Sequence, residues 1–217
     1  MATVTIAPGQ RLSPAEAAAY VDDLGARVIA YAKERVGGSE FMRDCSVGTL
    51  PKDLIQLFWL NWHAYVFEIN TIYSATLQRH VAFFKRNIDL LAPLTEKIAD
   101  ELMNPAPPGH LLIVWKQGEI FGLTQQQMLD YEMIAPCQAY LDWFRGILYD
   151  GTPTEFYACS FTEEYVGYWA QQFREGMAKM GYESARAMYF TLHEEADLKP
   201  HQNAAGLYAR RHRVQDG

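Results

Sequence analysis

Cysteine is scarce in this chain, a long apolar run is missing, and there is no surplus of positive charge. Each absence excludes something. The 217 residues contain 3 cysteines, Cys45, Cys137 and Cys159, odd in number and widely scattered. That pattern offers neither a disulfide framework nor a CxxC metal site, and a reducing, cytoplasmic setting is expected. No stretch approaches the apolar length a bilayer demands, and the start "MATVTIAPGQ" has no signal-peptide core, so no membrane association is expected. The formal net charge of -7 argues against a nucleic-acid surface. Basic residues gather only in "ARRHRVQDG", which reads as a solvated terminus. Internal repeats, low-complexity tracts and linkers are also missing, so residues 1–217 read as a single domain with room for a sizeable core.

What is present is apolar and helical. Hydrophobic residues make up 49% and aromatics 13%, the composition of a globular chain and not of a disordered one. Ser13, Pro14 and Glu16 form a capping-box start, and the helix they open is expected to stop at Gly37 and Gly38. A second helix runs from about Lys52 through "LIQLFWLNWHAYVFEINTIYSATLQ", apolar nearly all round and therefore expected at the centre. The next, "RHVAFFKRNIDLLAPLTEKIADELM", should break at Pro93 and end in the loop "NPAPPG". His110 opens another, and Thr124 with Gln127 is expected to cap a helix reaching Leu148. Thr152, Pro153 and Glu155 start one that should last to Met180 and stop at Gly181. Seven or so helices in one bundle are expected.

The densest chemistry is "HEEADLKPH". On a helix His193, Asp197 and His201 recur every fourth residue and share a face, and imidazole and carboxylate are ligands that iron, manganese and zinc accept. Glu194 and Glu195 point elsewhere, and Pro200 should kink or fray the helix end. One helix cannot complete a metal centre, so further donors are sought in apolar surroundings. Glu163 and Glu164 sit in the aromatic stretch "FYACSFTEEYVGYWAQQF", where a buried carboxylate needs a partner. Glu101 and His110 flank the Pro-rich turn and can face one another. Glu68, in "WHAYVFEINT", is a third buried-looking carboxylate. The E-x-x-H repeat of ferritin-like bundles does not occur.

These residues resemble the heme-oxygenase-like di-iron oxidase and oxygenase family, from about Phe41 to His201. The pieces that carry the likeness are "ADEL…GHLLIVWKQGEIFGLT", "ACSFTEEYVG" and "YFTLHEEAD". The resemblance implies an all-α, seven-helix, heme-oxygenase-like bundle. It implies Glu101, His110, Glu163, His193, Asp197 and His201 as metal ligands, with Fe(II), about two per chain, as cofactor and O2 as co-substrate. The family's histidine three residues after the motif aspartate is Pro200 here, and His201 follows it. Implied activity is oxidation of a small, amino-acid-like metabolite by N-oxygenation, C–C cleavage or desaturation, with Glu68 as a substrate contact or extra ligand, and with a homodimer left open. The self-sacrificing para-aminobenzoate chemistry of one member is not implied, because Met42 and Phe173 occupy the matching positions. Phe58, Trp59, Trp62, Tyr65 and Tyr165 are candidates for the pocket wall or for ordinary core. Two other readings of the same scaffold stand beside this one. One is a metal-free, thiaminase-like hydrolase using Cys159; the other is a non-catalytic binding protein.

Overall fold

The computed structural model describes residues 10, 12–159, 163–182 and 189–190. Among these residues there is helix and no strand, so the all-α class holds. Helix α1 spans Pro14–Ala32. Its start is the capping box read from the sequence: Ser13 Oγ accepts from the Glu16 amide at 3.3 Å, and Glu16 Oε2 accepts from the Ser13 amide at 2.8 Å. Beyond Ala32 the chain continues in a π-helical stretch, Lys33–Gly37, which Gly38 ends where the stop was expected. Helix α2, Glu40–Val47, was not expected; Ser39 caps it and Gly48, at φ 81°, ends it. Both signals are local and stand in the sequence, but the segment is too short to show a periodicity.

Helix α3, Lys52–Arg79, is the longest at 28 residues. It is central, as expected, but not buried all round. Trp59, Val66, Asn70 and Tyr73 lie on a buried stripe, whereas Leu54, Leu57 and Phe67 are exposed. The chain then breaks at His80 and Asn87, giving α4, Val81–Arg86, a short 3-10 turn, and α5, Leu91–Met103. Pro93 does not break the helix. It falls in the first turn of α5, where a missing N–H costs no intrahelical bond.

Helix α6 is His110–Ile120, and α7, Gln125–Leu129, begins on the Thr124–Gln127 capping box. The expected run to Leu148 divides here. Residues 130–134 leave the helix, and Pro136 sits in the first turn of a new one, α8, Ala135–Asp150. Helix α9 is Pro153–Cys159, with Thr152 and Glu155 bonded to one another's backbone as read. Helix α10 is Glu163–Lys179, and Gly181 follows it at φ 87°. The described residues therefore form ten α-helical segments where seven or so were expected. None of them is long and apolar enough to cross a membrane.

The main core gathers on α3. Trp59 and Phe173 are fully buried, and Phe58 lies 4.9 Å from Phe173 and 5.7 Å from Trp62, ring centre to ring centre. Trp169 and Phe190 close the group from α10 and beyond, at 6.0 Å from each other. Each buried aromatic contributes on the order of 1.5–3 kcal/mol relative to exposure. A second cluster joins Tyr73 on α3 to Phe144 on α8 and Phe156 on α9.

Helix α10 reaches α2 by close backbone approach. A Cβ on Gly176 would stand 2.5 Å from Cys45 Sγ and 2.7 Å from the Cys45 carbonyl carbon. Gly146, on the exposed side of α8, would meet nothing within 4 Å. Gly176→Ala should therefore destabilise by about 1–3 kcal/mol through overpacking. Gly146→Ala should stabilise by roughly 0.5–1 kcal/mol through helix propensity. Urea denaturation of both variants reads the pair, and equal shifts would contradict the packing described.

Candidate metal centre

The site begins at a corner between two helices. Glu101 lies in the last turn of α5 and His110 is the first residue of α6, with the loop 104–109 between them. Gly109 makes the corner possible. It adopts φ 72°, ψ -134°, a conformation that side chains disfavour. It also packs so tightly on α5 that a Cβ would stand 2.6 Å from the backbone carbonyl carbons of Glu101 and Leu102. That approach lays the start of α6 against the end of α5.

The two side chains meet inside. His110 Nδ1 stands 2.8 Å from Glu101 Oε2, with only 4% and 8% of the two residues exposed. The other carboxylate oxygen, Oε1, accepts from Lys97 Nζ at 2.8 Å, one turn earlier on α5. Lys97 in turn lies 5.8 Å from the ring centre of Tyr73 on α3. Burial acts to raise the Glu101 carboxyl, but the Lys97 ammonium and the His110 hydrogen bond outweigh it. The net effect holds Glu101 well below the usual carboxylate range and keeps it ionised.

Around this pair the walls are aromatic. Tyr189 is 6.5 Å from His110, 5.9 Å from Trp59 and 5.8 Å from Trp62, ring to ring. A cavity of about 310 Å³ opens between the π-helical stretch and α10, lined by Lys33, Tyr168, Trp169 and Gln172. Its Trp169 touches Trp62 at 5.0 Å.

Of the expected ligands, the structure brings Glu101 and His110 together. Glu163 opens α10, but its side chain lies outside the described residues, as do His193, Asp197 and His201 and the Tyr165 ring. Among the described residues no group of three or more His, Cys, Asp or Glu could hold a metal. In donor type the Glu101–His110 pair fits iron, which takes carboxylate oxygen and imidazole nitrogen.

Glu68 does not join them. Its carboxylate is 37% exposed and paired with Arg145 of α8, which also holds Asp142 at 2.8 Å. The expectation of a buried carboxylate fails because Glu68 lies on the α8-facing side of α3. Trp59, Val66 and Asn70 occupy the stripe toward α6. Cys159 is half-buried beside the second cluster, and its thiol is pushed up by burial and by the Glu155 charge. A thiol shifted that way is a poor nucleophile at neutral pH.

Lys97 was missed from the sequence, although its place one turn before Glu101 is a visible helical ion-pair spacing. His63 of α3 is another buried imidazole, and its Nε2 is occupied structurally. Its Nε2 accepts from Trp115 Nε1 at 2.9 Å, its Nδ1 has no hydrogen-bond partner among the described residues, and burial lowers its pKa. The chain matches no protein-family profile and no curated protein at a significant level.

The carboxylate yields a pH prediction. Because the folded pKa of Glu101 lies below its unfolded value, its contribution is complete above the ordinary carboxylate range. That contribution disappears as pH falls below this range. Glu101→Gln leaves Lys97 and His110 without their anion and should lose about 3–5 kcal/mol at neutral pH. Its stability should then fall less steeply into acid than that of the parent chain. Denaturant titrations across the acid range measure this, and parallel curves would refute it.

Proposed function

We propose that this protein is a non-heme di-iron oxygenase that uses O2 to oxidise a small organic metabolite. The observation that carries the reading is the buried Glu101–His110 pair, a carboxylate and an imidazole joined inside an aromatic helical core. The sequence motif His193–Asp197 supports it, with Glu163 and His201 as the further ligands of the reading.

The chemistry follows from what each residue can do. Bound iron would supply the reduction of O2, which no side chain here can supply. Glu101 contributes an anionic oxygen donor, kept ionised by Lys97. His110 Nδ1 lies 2.8 Å from the Glu101 carboxylate, and Nε2 would be the nitrogen offered to the iron. Tyr189 packs on the His110 ring, and Trp59 and Trp62 pack on Tyr189, an apolar surround that would protect reactive oxygen chemistry from side reactions. Among the described residues the raised thiol of Cys159 argues against the hydrolase reading, since it works against formation of the thiolate that reading requires.

Anaerobic Fe(II) titration tests the proposal directly. The parent chain should take up about two irons. His110→Ala and His193→Ala should each lower iron content and abolish the visible absorption that follows exposure to O2. A fully folded chain that binds no iron under these conditions would end the proposal.

A further inference from the structure

The cavity between the π-helical stretch and α10 is a space that the proposed metal centre does not use, since neither Glu101 nor His110 lines it. At about 310 Å³ it stands at the lower end of the range that holds small ligands, roughly 300–1,000 Å³. Its rim is an uncommon element. π-Helical turns are rare, and where they occur they often mark functional sites. This one supplies Lys33, Val36 and Gly37 to the wall. The helix end here is already satisfied without a cation. The Val36 carbonyl accepts from the Ser39 amide at 3.0 Å and the Ser39 hydroxyl at 2.6 Å, and the Gly37 carbonyl accepts from Gln172 Nε2 at 3.2 Å. Lys33 is therefore released from the capping role that a basic residue near a helix end often takes.

Nor is Lys33 used in an ion pair. Its helical neighbours one turn away, Ile29, Ala30, Val36 and Gly37, are all uncharged. No carboxylate among the described residues pairs with it, although the chain has 26 acidic residues against 19 basic ones. Its Nζ lies instead over the Tyr168 ring at 4.1 Å, on the cavity wall. Among the described residues Lys33 is the one charged residue of that wall. The rest is an apolar surface from Ala32, Val36, Tyr168 and Trp169, with the Gln172 amide pinned by Gly37 and Ser46.

We infer that this cavity binds a small monocarboxylic acid with an apolar body, its carboxylate on Lys33 and its body against Val36, Tyr168 and Trp169. The class follows from charge and shape. A cationic ligand would meet an ammonium that already holds the place over the Tyr168 ring. A neutral one would cover that ammonium without pairing it, which burial penalises. A phosphate or a dicarboxylate would bring a second charge, and the wall has neither a second cation nor an arginine fork to receive it. One carboxylate on an apolar frame matches both parts of the lining. The inference goes beyond the oxygenase reading and does not rest on it.

The test titrates the full chain with phenylacetate and with phenylacetamide, its neutral counterpart, by ligand-detected NMR. A chelator is present throughout, so that the acid is not read on a metal ion. Phenylacetate should bind, and more tightly than phenylacetamide by about five-fold. Lys33→Met, which keeps the length of the side chain and removes its charge, should bind the two probes alike. Lys33→Arg should retain the preference for the acid. Val36→Phe should fill the cavity and weaken both probes. Lys33 is exposed, so its two variants carry the test where Val36→Phe folds poorly. No binding of phenylacetate to the parent chain, equal binding of the two probes, or an acid preference that survives Lys33→Met would each overturn the proposal. So would a folded Val36→Phe that binds phenylacetate as the parent does.

Discussion

A charged carboxylate inside an aromatic core has to be matched, and Glu101 is matched twice, by Lys97 of its own helix and His110 of the next. Much of the centre follows from that requirement. Lys97 must come from α5 at the spacing of one turn. His110 must come from a helix that starts immediately beside the end of α5. The loop between them must therefore reverse direction in a few residues with no side chain at the contact, and Gly109 fills that position. The start of α6 is fixed in this way, and with it the seam against α3. Removing Lys97 or His110 leaves the buried anion with one partner in place of two, a larger loss than breaking an exposed surface pair.

The two buried imidazoles on this seam show why burial alone does not identify a site. His63 and His110 are similarly enclosed. His63 receives the Trp115 indole N–H on Nε2, and burial favours its neutral form, so that nitrogen is used to hold α3 against α6. His110 is bonded to a carboxylate through Nδ1. An imidazole oriented by a carboxylate through one nitrogen, with the other nitrogen as lone-pair donor, is the arrangement that metal sites use to fix their ligands. The difference lies in the partner.

The sequence made the helix starts legible because their signals are local. Ser13 with Glu16, Thr124 with Gln127 and Thr152 with Glu155 all cap as their spacing indicates. Breaks were less legible. Pro93 looked like a helix breaker, yet position within the first turn made it harmless, and the break fell at Asn87. The Glu101–His110 meeting was visible as two polar residues flanking a short Pro-rich turn, reinforced by a family resemblance. Glu68 was misread for a tertiary reason. Its neighbours in the chain are apolar, but Arg145, remote in sequence, arrives from α8 and draws the carboxylate to the half-exposed side. Gln117 and Asn70, buried with no side-chain hydrogen-bond partner among the described residues, were passed over because an amide in an apolar run gives no sign of its burial.

The aromatic rings determine how that interior meets solvent. Between the cavity beside the π-helical stretch and His110 stand Trp169, Trp62 and Tyr189, each ring packed on the next. The π-helical turn at Lys33–Gly37 widens the backbone where the cavity opens. Gln172 braces it there, donating to the Gly37 carbonyl at 3.2 Å and to Ser46 Oγ at 2.8 Å. Lys33 lies over the Tyr168 ring at 4.1 Å on the outer wall. The wall of the outer cavity is thus mostly apolar, with Lys33 as its one cation and the Gln172 amide beside it. The cavity therefore ends against close-packed rings, and a molecule lodged in it would meet the Trp169 indole and not the Glu101–His110 pair.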